Sequence, residues 1–214
     1  MEAPHITIPA EIVASIAMSA KGITSSVERT LPNLKAVRLS YWEGAPQLDV
    51  WATNRYAALH LAIDIDPQPV SVTSCISMET LNACVTFAKL MGDTPLLLSD
   101  EACQPEGGSS YELRHDQLPD IARLFANGGE PSGVQAETQL NLGLLSKVSS
   151  GIRLPREDAG PSRNAPWKVT QKPFEKASRG GGVFRFYRTS QARKDQHRND
   201  YAEIWQMPIV TYDA

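Results

Sequence analysis

Residues 48–61, Leu-Asp-Val-Trp-Ala-Thr-Asn-Arg-Tyr-Ala-Ala-Leu-His-Leu, decide how the rest of the chain is read. Leu48, Val50 and Ala52 alternate with Asp49 and Trp51, the period of a strand with one buried face. A second apolar run, 57–63, follows the polar turn Thr53-Asn54-Arg55, and two strands that meet at so tight a turn make a hairpin. Asn54 tolerates the left-handed backbone conformation and can bond its own main chain, so a two-residue Asn54-Arg55 turn works without glycine.

Upstream of the hairpin, Ile6 and Ile8 mark a short strand over 5–8, and Pro9 opens a helix from 10 to about 22. Ile12, Val13, Ile16 and Ala20 form its apolar stripe and Gly22 is its expected stop. Val37, Leu39 and Tyr41 alternate as a further strand, and Glu43-Gly44-Ala45-Pro46 turns the chain into the hairpin. The unit reads strand, helix, strand, strand, strand. Asp66-Pro67-Gln68-Pro69 breaks it, and 70–76 begins the pattern again. Ser77 is placed to cap a second helix, with Leu81, Val85, Ala88, Leu90 and Met91 as its buried face up to Gly92. Strands are expected at 95–98 and 111–113, separated by a loop over 100–110 rich in Gly, Pro and acids, which leaves this second unit one strand short. After a Gly-rich linker at 128–133 a third unit follows: a strand at 134–138, a helix marked by Leu140, Leu144, Leu145 and Val148 that stops at Gly151, an extended loop over 155–166, and strands at 167–171, 183–188 and 201–210.

Bulk properties narrow the function classes. With 214 residues, 42% of them hydrophobic, the chain can bury one good core or two small ones. No apolar run approaches the roughly 20 residues of a membrane span, and the N-terminus lacks the basic-then-apolar order of a secretion signal. Cys75, Cys84 and Cys103 are odd in number and lack metal-ligand spacing, so reduced thiols in a cytoplasmic protein are expected. The formal charge of -3 conceals an asymmetry. Residues 1–150 hold 9 Lys and Arg against 17 Asp and Glu, residues 151–198 hold 12 against 4, and the last 16 hold none against 3. Such a basic block is either a polyanion-facing surface or a solvated loop.

No constellation for catalysis emerges. Gly180-Gly181-Gly182 lacks the Lys-Ser/Thr of a phosphate loop and precedes a strand, which makes it a turn. His5, His60, His115 and His197 have no paired spacing and read as structural or surface residues. Glu157-Asp158 and Asp64/Asp66 lie in Pro-flanked loops, where carboxylates are usually just solvated. The expectation is a binding protein with no catalytic residue, no cofactor and no metal.

Three segments carry a family resemblance. Ala52-Thr53-Asn54-Arg55-Tyr56-Ala57-Ala58-Leu59 resembles the A-T-D-x-[HY]-R-L-A hairpin of the bacterial β clamps, the sliding clamps of DNA polymerases. Leu118-Pro119-Asp120-Ile121-Ala122-Arg123-Leu124-Phe125 resembles the connector that follows the middle domain of these clamps, and 201–209, ending Met207-Pro208-Ile209, resembles their Y-x-x-M-P-[MI]-[RK]-L terminus. The three occur in the family's order, inside three strand-helix-strand repeats. The chain aligns with the middle domain of a clamp followed by a shortened last domain, as in a shortened, phage-like version.

The resemblance implies an α+β DNA clamp fold, with repeated strand-helix-strand units and helices on one face of antiparallel sheets. It implies a clamp-like domain over 1–118, a connector over 119–133 and a shortened second clamp-like domain over 134–214. By the same resemblance Thr53, Tyr56, Ala58, Pro119, Leu124, Met207, Pro208 and Ile209 correspond to the pocket that accepts the peptide motif of a polymerase. Ala57, where the family usually has Arg, and the uncommon Arg55 and Ala58 point to altered partner choice. Helices would line a ring around duplex DNA and meet phosphates without reading bases, through Lys21, Lys89, Lys147, Arg153 and Arg156. Implied partners are double-stranded DNA, DNA polymerase, a clamp loader, and further copies of the chain in a trimeric or tetrameric ring. Two rivals stand beside this processivity factor. One is a clamp-fold adaptor or inhibitor of replication proteins that never surrounds DNA, favoured by the sparse cations of the helices. The other is a nucleic-acid binder using the basic block, in which Phe184-Arg185-Phe186-Tyr187-Arg188 would stack on single strands.

Overall fold

The computed structural model of the chain describes residues 4–25, 27, 31–113, 118, 142–152, 154, 168–173, 182–189 and 201–206. The first unit is β1 (Ile6–Ile8), α1 (Ala10–Thr24) and, after a 3₁₀ turn at Pro32–Leu34, the meander β2 (Ala36–Tyr41), β3 (Gln47–Thr53) and β4 (Ala57–Asp64). The same order returns in β5 (Val72–Ser77), α2 (Met78–Met91), β6 (Leu96–Leu98), β7 (Ala102–Pro105) and β8 (Tyr111–Glu112). Then come α3 (Leu142–Gly151) and a third meander, β9 (Lys168–Pro173), β10 (Gly182–Thr189) and β11 (Tyr201–Gln206). The fold is α+β, and every described strand pair is antiparallel.

The strands form a four-stranded sheet, β1-β6-β7-β8, and a seven-stranded sheet, β5-β2-β3-β4-β11-β10-β9. Each of the first two units lends its first strand to the other: β1 pairs with β6 at Ile6↔Leu98, and β5 pairs with β2 at Ala36↔Ser77. Polar bonds stitch the sheets where they meet. The Ser74 hydroxyl donates to the Ser99 carbonyl at 2.6 Å, and the Thr73 N–H donates to the Asp100 carboxylate at 2.8 Å.

Three expectations about single elements need correction. The stretch 100–110 is not all loop, because Ala102–Pro105 is β7, held between β6 and β8 at Leu98↔Cys103 and Cys103↔Tyr111. Cys103 and Pro105 are its buried residues, so four residues give only two apolar positions, too few for periodicity to register. The second unit is therefore complete. Gly22 does not stop α1, which runs on to Thr24. A Cβ there would lie 3.1 Å from both the Lys147 carbonyl oxygen and the Val148 Cα, so its lack of a side chain lets α1 and α3 approach closely. Leu90 and Met91, expected on the buried face of α2, are 79% and 58% exposed. The stripe that packs is Leu81, Cys84 and Ala88, and Leu90 stands about 200° round the helix from Ala88. Both ends of α2 follow expectation: the Ser77 hydroxyl accepts from the Thr80 N–H at 3.0 Å, and Gly92 closes the helix at φ +83°. The strand read at 134–138, Leu140, the 155–166 loop and the connector lie outside the described residues.

One core unites the units. Leu39, Val50, Leu61 and Ile204, on β2, β3, β4 and β11, share a cluster with Ile12, Ile16 and Ile23 of α1, Leu81 of α2 and Val148 of α3. Burying an isoleucine of this kind is worth roughly 2 kcal/mol, before the entropy of ordering it. Within this core Cys103 is pushed well up from the ordinary thiol range by its hydrogen bond with Cys84 and by burial, while that bond draws Cys84 down.

The other face of the seven-stranded sheet is buried differently. Trp51 of β3 stacks flat on His60 of β4, with centroids 4.0 Å apart and 7° between planes, and Tyr201 meets the imidazole edge-on at 5.4 Å. His60 Nε2 is 2.8 Å from Asp49 and its Nδ1 is 3.6 Å from Glu203, which also accepts from Trp205 Nε1 at 3.0 Å. Glu203 is 3% exposed, a burial that a carboxylate tolerates only with such partners. The cluster spans β3, β4 and β11 and binds the last meander to the first.

Candidate functional site

The β3–β4 hairpin has a tip built by side-chain-to-backbone bonds. Thr53 and Ala58 are paired, and the Asn54 N–H donates to the Ala57 carbonyl at 3.2 Å. Asn54 Oδ1 accepts from the N–H groups of Tyr56 (3.0 Å) and Ala57 (2.8 Å). Thr53 Oγ1 donates to the Ala57 carbonyl at 2.8 Å and accepts from the Arg55 N–H at 3.2 Å. The left-handed residue is Arg55, at φ +84°, not Asn54. The turn thus sits one residue later than the sequence suggests, because buried Asn54 spends its side chain on the main chain ahead of it. Holding a residue with a Cβ in this region costs about 1–2 kcal/mol. Arg55 and Tyr56 project from the tip, both exposed, with the guanidinium carbon 6.0 Å from the ring centroid.

Of the residues matched to a peptide pocket, Thr53 and Ala58 are buried and Tyr56 is 51% exposed. Ala58 packs between Trp51 and Trp205. Pro119, Leu124, Met207, Pro208 and Ile209 lie outside the described residues, whereas Leu118 and Gln206 lie within them. Gln206, the last residue of β11, is level with Ala57, so β11 ends beside the hairpin tip. Leu118, which precedes Pro119, is buried with Leu34, Ala36 and Cys75, at the end of the sheet where β2 begins and β3 finishes. The turn, Leu118 and the last residue of β11 therefore lie at one end of the seven-stranded sheet.

The cations matched to a DNA-facing surface are placed on three helices. Lys21 is exposed in the last turn of α1, Lys89 in the last turn of α2, and Lys147 on α3. The contact of Gly22 with Lys147 and Val148 brings Lys21 and Lys147 to one helix crossing. Arg153 and Arg156 lie outside the described residues. The exposed residues of these helices also include the carboxylates Glu11 and Glu79, the polar Asn82, Thr86, Ser146 and Ser150, and the apolar Met18, Leu90 and Met91.

An open cavity of about 620 Å³ is found elsewhere, beside β8, lined by Glu101, Ala102, Ser110, Glu112 and Leu113; it holds none of the expected site residues. Among the described residues no group of three His, Cys, Asp or Glu is arranged to hold a metal ion. No described helix is long and apolar enough to cross a membrane. Sequence reasoning missed the set of Asp49, His60, Glu203 and Trp205, since the residues come from three strands and meet only through the β4–β11 register.

Neither a protein-family model nor a curated protein matches the sequence. Solved structures do match the fold over nearly its whole length. The Helicobacter pylori β clamp bound to a DNA ligase peptide superposes with a TM-score of 0.55 at 9% identity, covering 99% of this chain and 68% of that one. The β subunit of DNA polymerase from Streptococcus pyogenes gives 0.53 at 11% identity, covering 99% and 67%. The sliding clamp of Pseudomonas aeruginosa bound to griselimycin gives 0.53 at 12%, covering 98% and 67%. The fold is that of the bacterial sliding clamps, in a shorter chain.

Proposed function

From a chain with the sliding-clamp fold, we propose a DNA sliding clamp: a non-enzymatic, cytoplasmic protein of DNA replication that closes around duplex DNA as a homo-oligomeric ring and tethers a polymerase by a peptide. The observation that carries the reading is the convergence of the Thr53–Tyr56 turn, the start of the connector at Leu118 and the exit of β11 at Gln206 on one end of a sheet. There Tyr56, Pro119, Leu124 and Met207–Ile209 would offer an aromatic, prolines and a thioether to the apolar anchors of an extended segment. A clamp of this fold holds a DNA ligase peptide, which supports such a use of the fold. Closure would use sheet edges, since β8 and β9 each have a described neighbour on one side only. The domains would be 1–118 and 134–214, joined by 119–133. Lys21, Lys89, Lys147, Arg153 and Arg156 would face the phosphates. Enclosure rather than affinity would hold the DNA, so few contacts suffice.

Retention on DNA of different topology tests this. Protein retained on nicked circular plasmid after a salt wash, and released when a restriction enzyme linearises it, supports enclosure. Equal retention on both forms, or on neither, contradicts it.

A second reading has an observation of its own. Leu90 and Met91 stand exposed beside Lys89 at the end of α2, where a phosphate-facing surface calls for cations. An adaptor or inhibitor that docks on replication proteins without surrounding DNA would use such an apolar end. It predicts no topology dependence.

A further inference from the structure

We propose that the tip of the β3–β4 hairpin selects a partner segment carrying a carboxylate beside its apolar anchors, Arg55 taking the carboxylate and Tyr56 the neighbouring apolar side chain; this rests on the peptide-pocket reading above. The bonds that Thr53 and Asn54 make to build the turn run to main-chain groups, and these do not ask for an arginine side chain at 55. Yet a long cation occupies a position, φ +84°, where glycine would sit without strain. An outlier of this kind, at an exposed tip, points to a ligand rather than to folding.

The geometry fits one class of ligand. The Arg55 guanidinium lies 6.0 Å from the Tyr56 centroid, within the range of a cation–π contact, which steadies the side chain and leaves its planar N–H fork for a carboxylate. No carboxylate pairs with Arg55 among the described residues. Arg55 is also the one charged residue between Ala52 and Leu59, and its neighbours Ala57 and Ala58 are buried. A nucleic-acid strand is the less favoured occupant, because strand binding draws on several phosphate contacts and the tip offers one cation.

Fluorescence anisotropy with the full chain tests the inference, using three synthetic peptides. Each holds two leucines one residue apart, so that both side chains project to the same side of an extended segment, flanked by Asp, Asn or Lys. The wild type is expected to bind the Asp peptide about five-fold more tightly than the Asn peptide and to bind the Lys peptide least, with the spread shrinking as salt is added. Arg55→Gly, unstrained at this φ, should keep the fold and the affinity for the Asn peptide while losing the preference; Arg55→Lys should keep part of it. Tyr56→Ala should weaken all three. Equal affinities for the three peptides in the wild type, or a preference that survives Arg55→Gly, overturn the charge selection and leave the pocket reading standing. Binding of none of them, with Tyr56→Ala matching the wild type, overturns the pocket reading and the inference with it. Tight binding of a dT12 oligonucleotide that Arg55→Gly abolishes, with the peptides ignored, assigns the tip to nucleic acid and overturns the proposal.

Discussion

At the scale of single residues, the molecule rests on groups whose value comes from contacts made far along the chain. Glu203 holds His60 and Trp205 together while 3% exposed. Glu203→Ala is expected to lose about 2–3 kcal/mol by leaving buried polar groups without partners, read from the midpoint of a urea unfolding curve. Gly22 acts by absence. Gly22→Val drives carbon into the Lys147 carbonyl at the α1–α3 crossing and should cost about 1–3 kcal/mol, whereas unchanged stability would mean that the helices do not approach as closely as described. Arg55→Gly goes the other way, since relief of a left-handed φ should raise stability by about 1 kcal/mol.

Among the elements, caps and register decide where each one lies. Ser77→Ala removes the acceptor for the Thr80 N–H and should cost about 1 kcal/mol, seen as a lower Tm. This cap was readable in the sequence because capping is local, as were the Gly92 stop and the hairpin about Asn54. Elements with long periodic stripes, such as α1 and β2 to β4, were equally plain. What escaped was non-local. The four residues of β7 have meaning only between β6 and β8, and Gly22 read as a stop because nothing nearby reveals α3. Asn54 against Arg55 as the left-handed residue turned on a choice between two uses of one side chain. For the proposed pocket, the order of three weak segments could not place the end of β11; the pairing of Gln206 with Ala57 puts it beside the hairpin. The burial of Ala58 between two tryptophans could not be read from strand alternation.

For the molecule as a whole, the seven-stranded sheet is the unit that matters. It carries the first meander across β4 to β11 without a break and ends at β9 on one side, while the four-stranded sheet ends at β8. The two sheets have four terminal strands, β1, β5, β8 and β9; a closed ring would use two such edges on each copy, and an edge left bare is a hazard for any protein. The exposed lysines Lys21, Lys89 and Lys147 come one from each of the three described α-helices, so their joint replacement by glutamate should weaken retention on circular DNA several-fold at low salt while leaving assembly unchanged. The central claim is that copies of this chain close on one another, and the solution mass tests it most directly. Light scattering coupled to size exclusion, at micromolar protein and moderate salt, should return three or four chains of 23.4 kDa each. A mass of one chain that persists as the concentration is raised would contradict the ring.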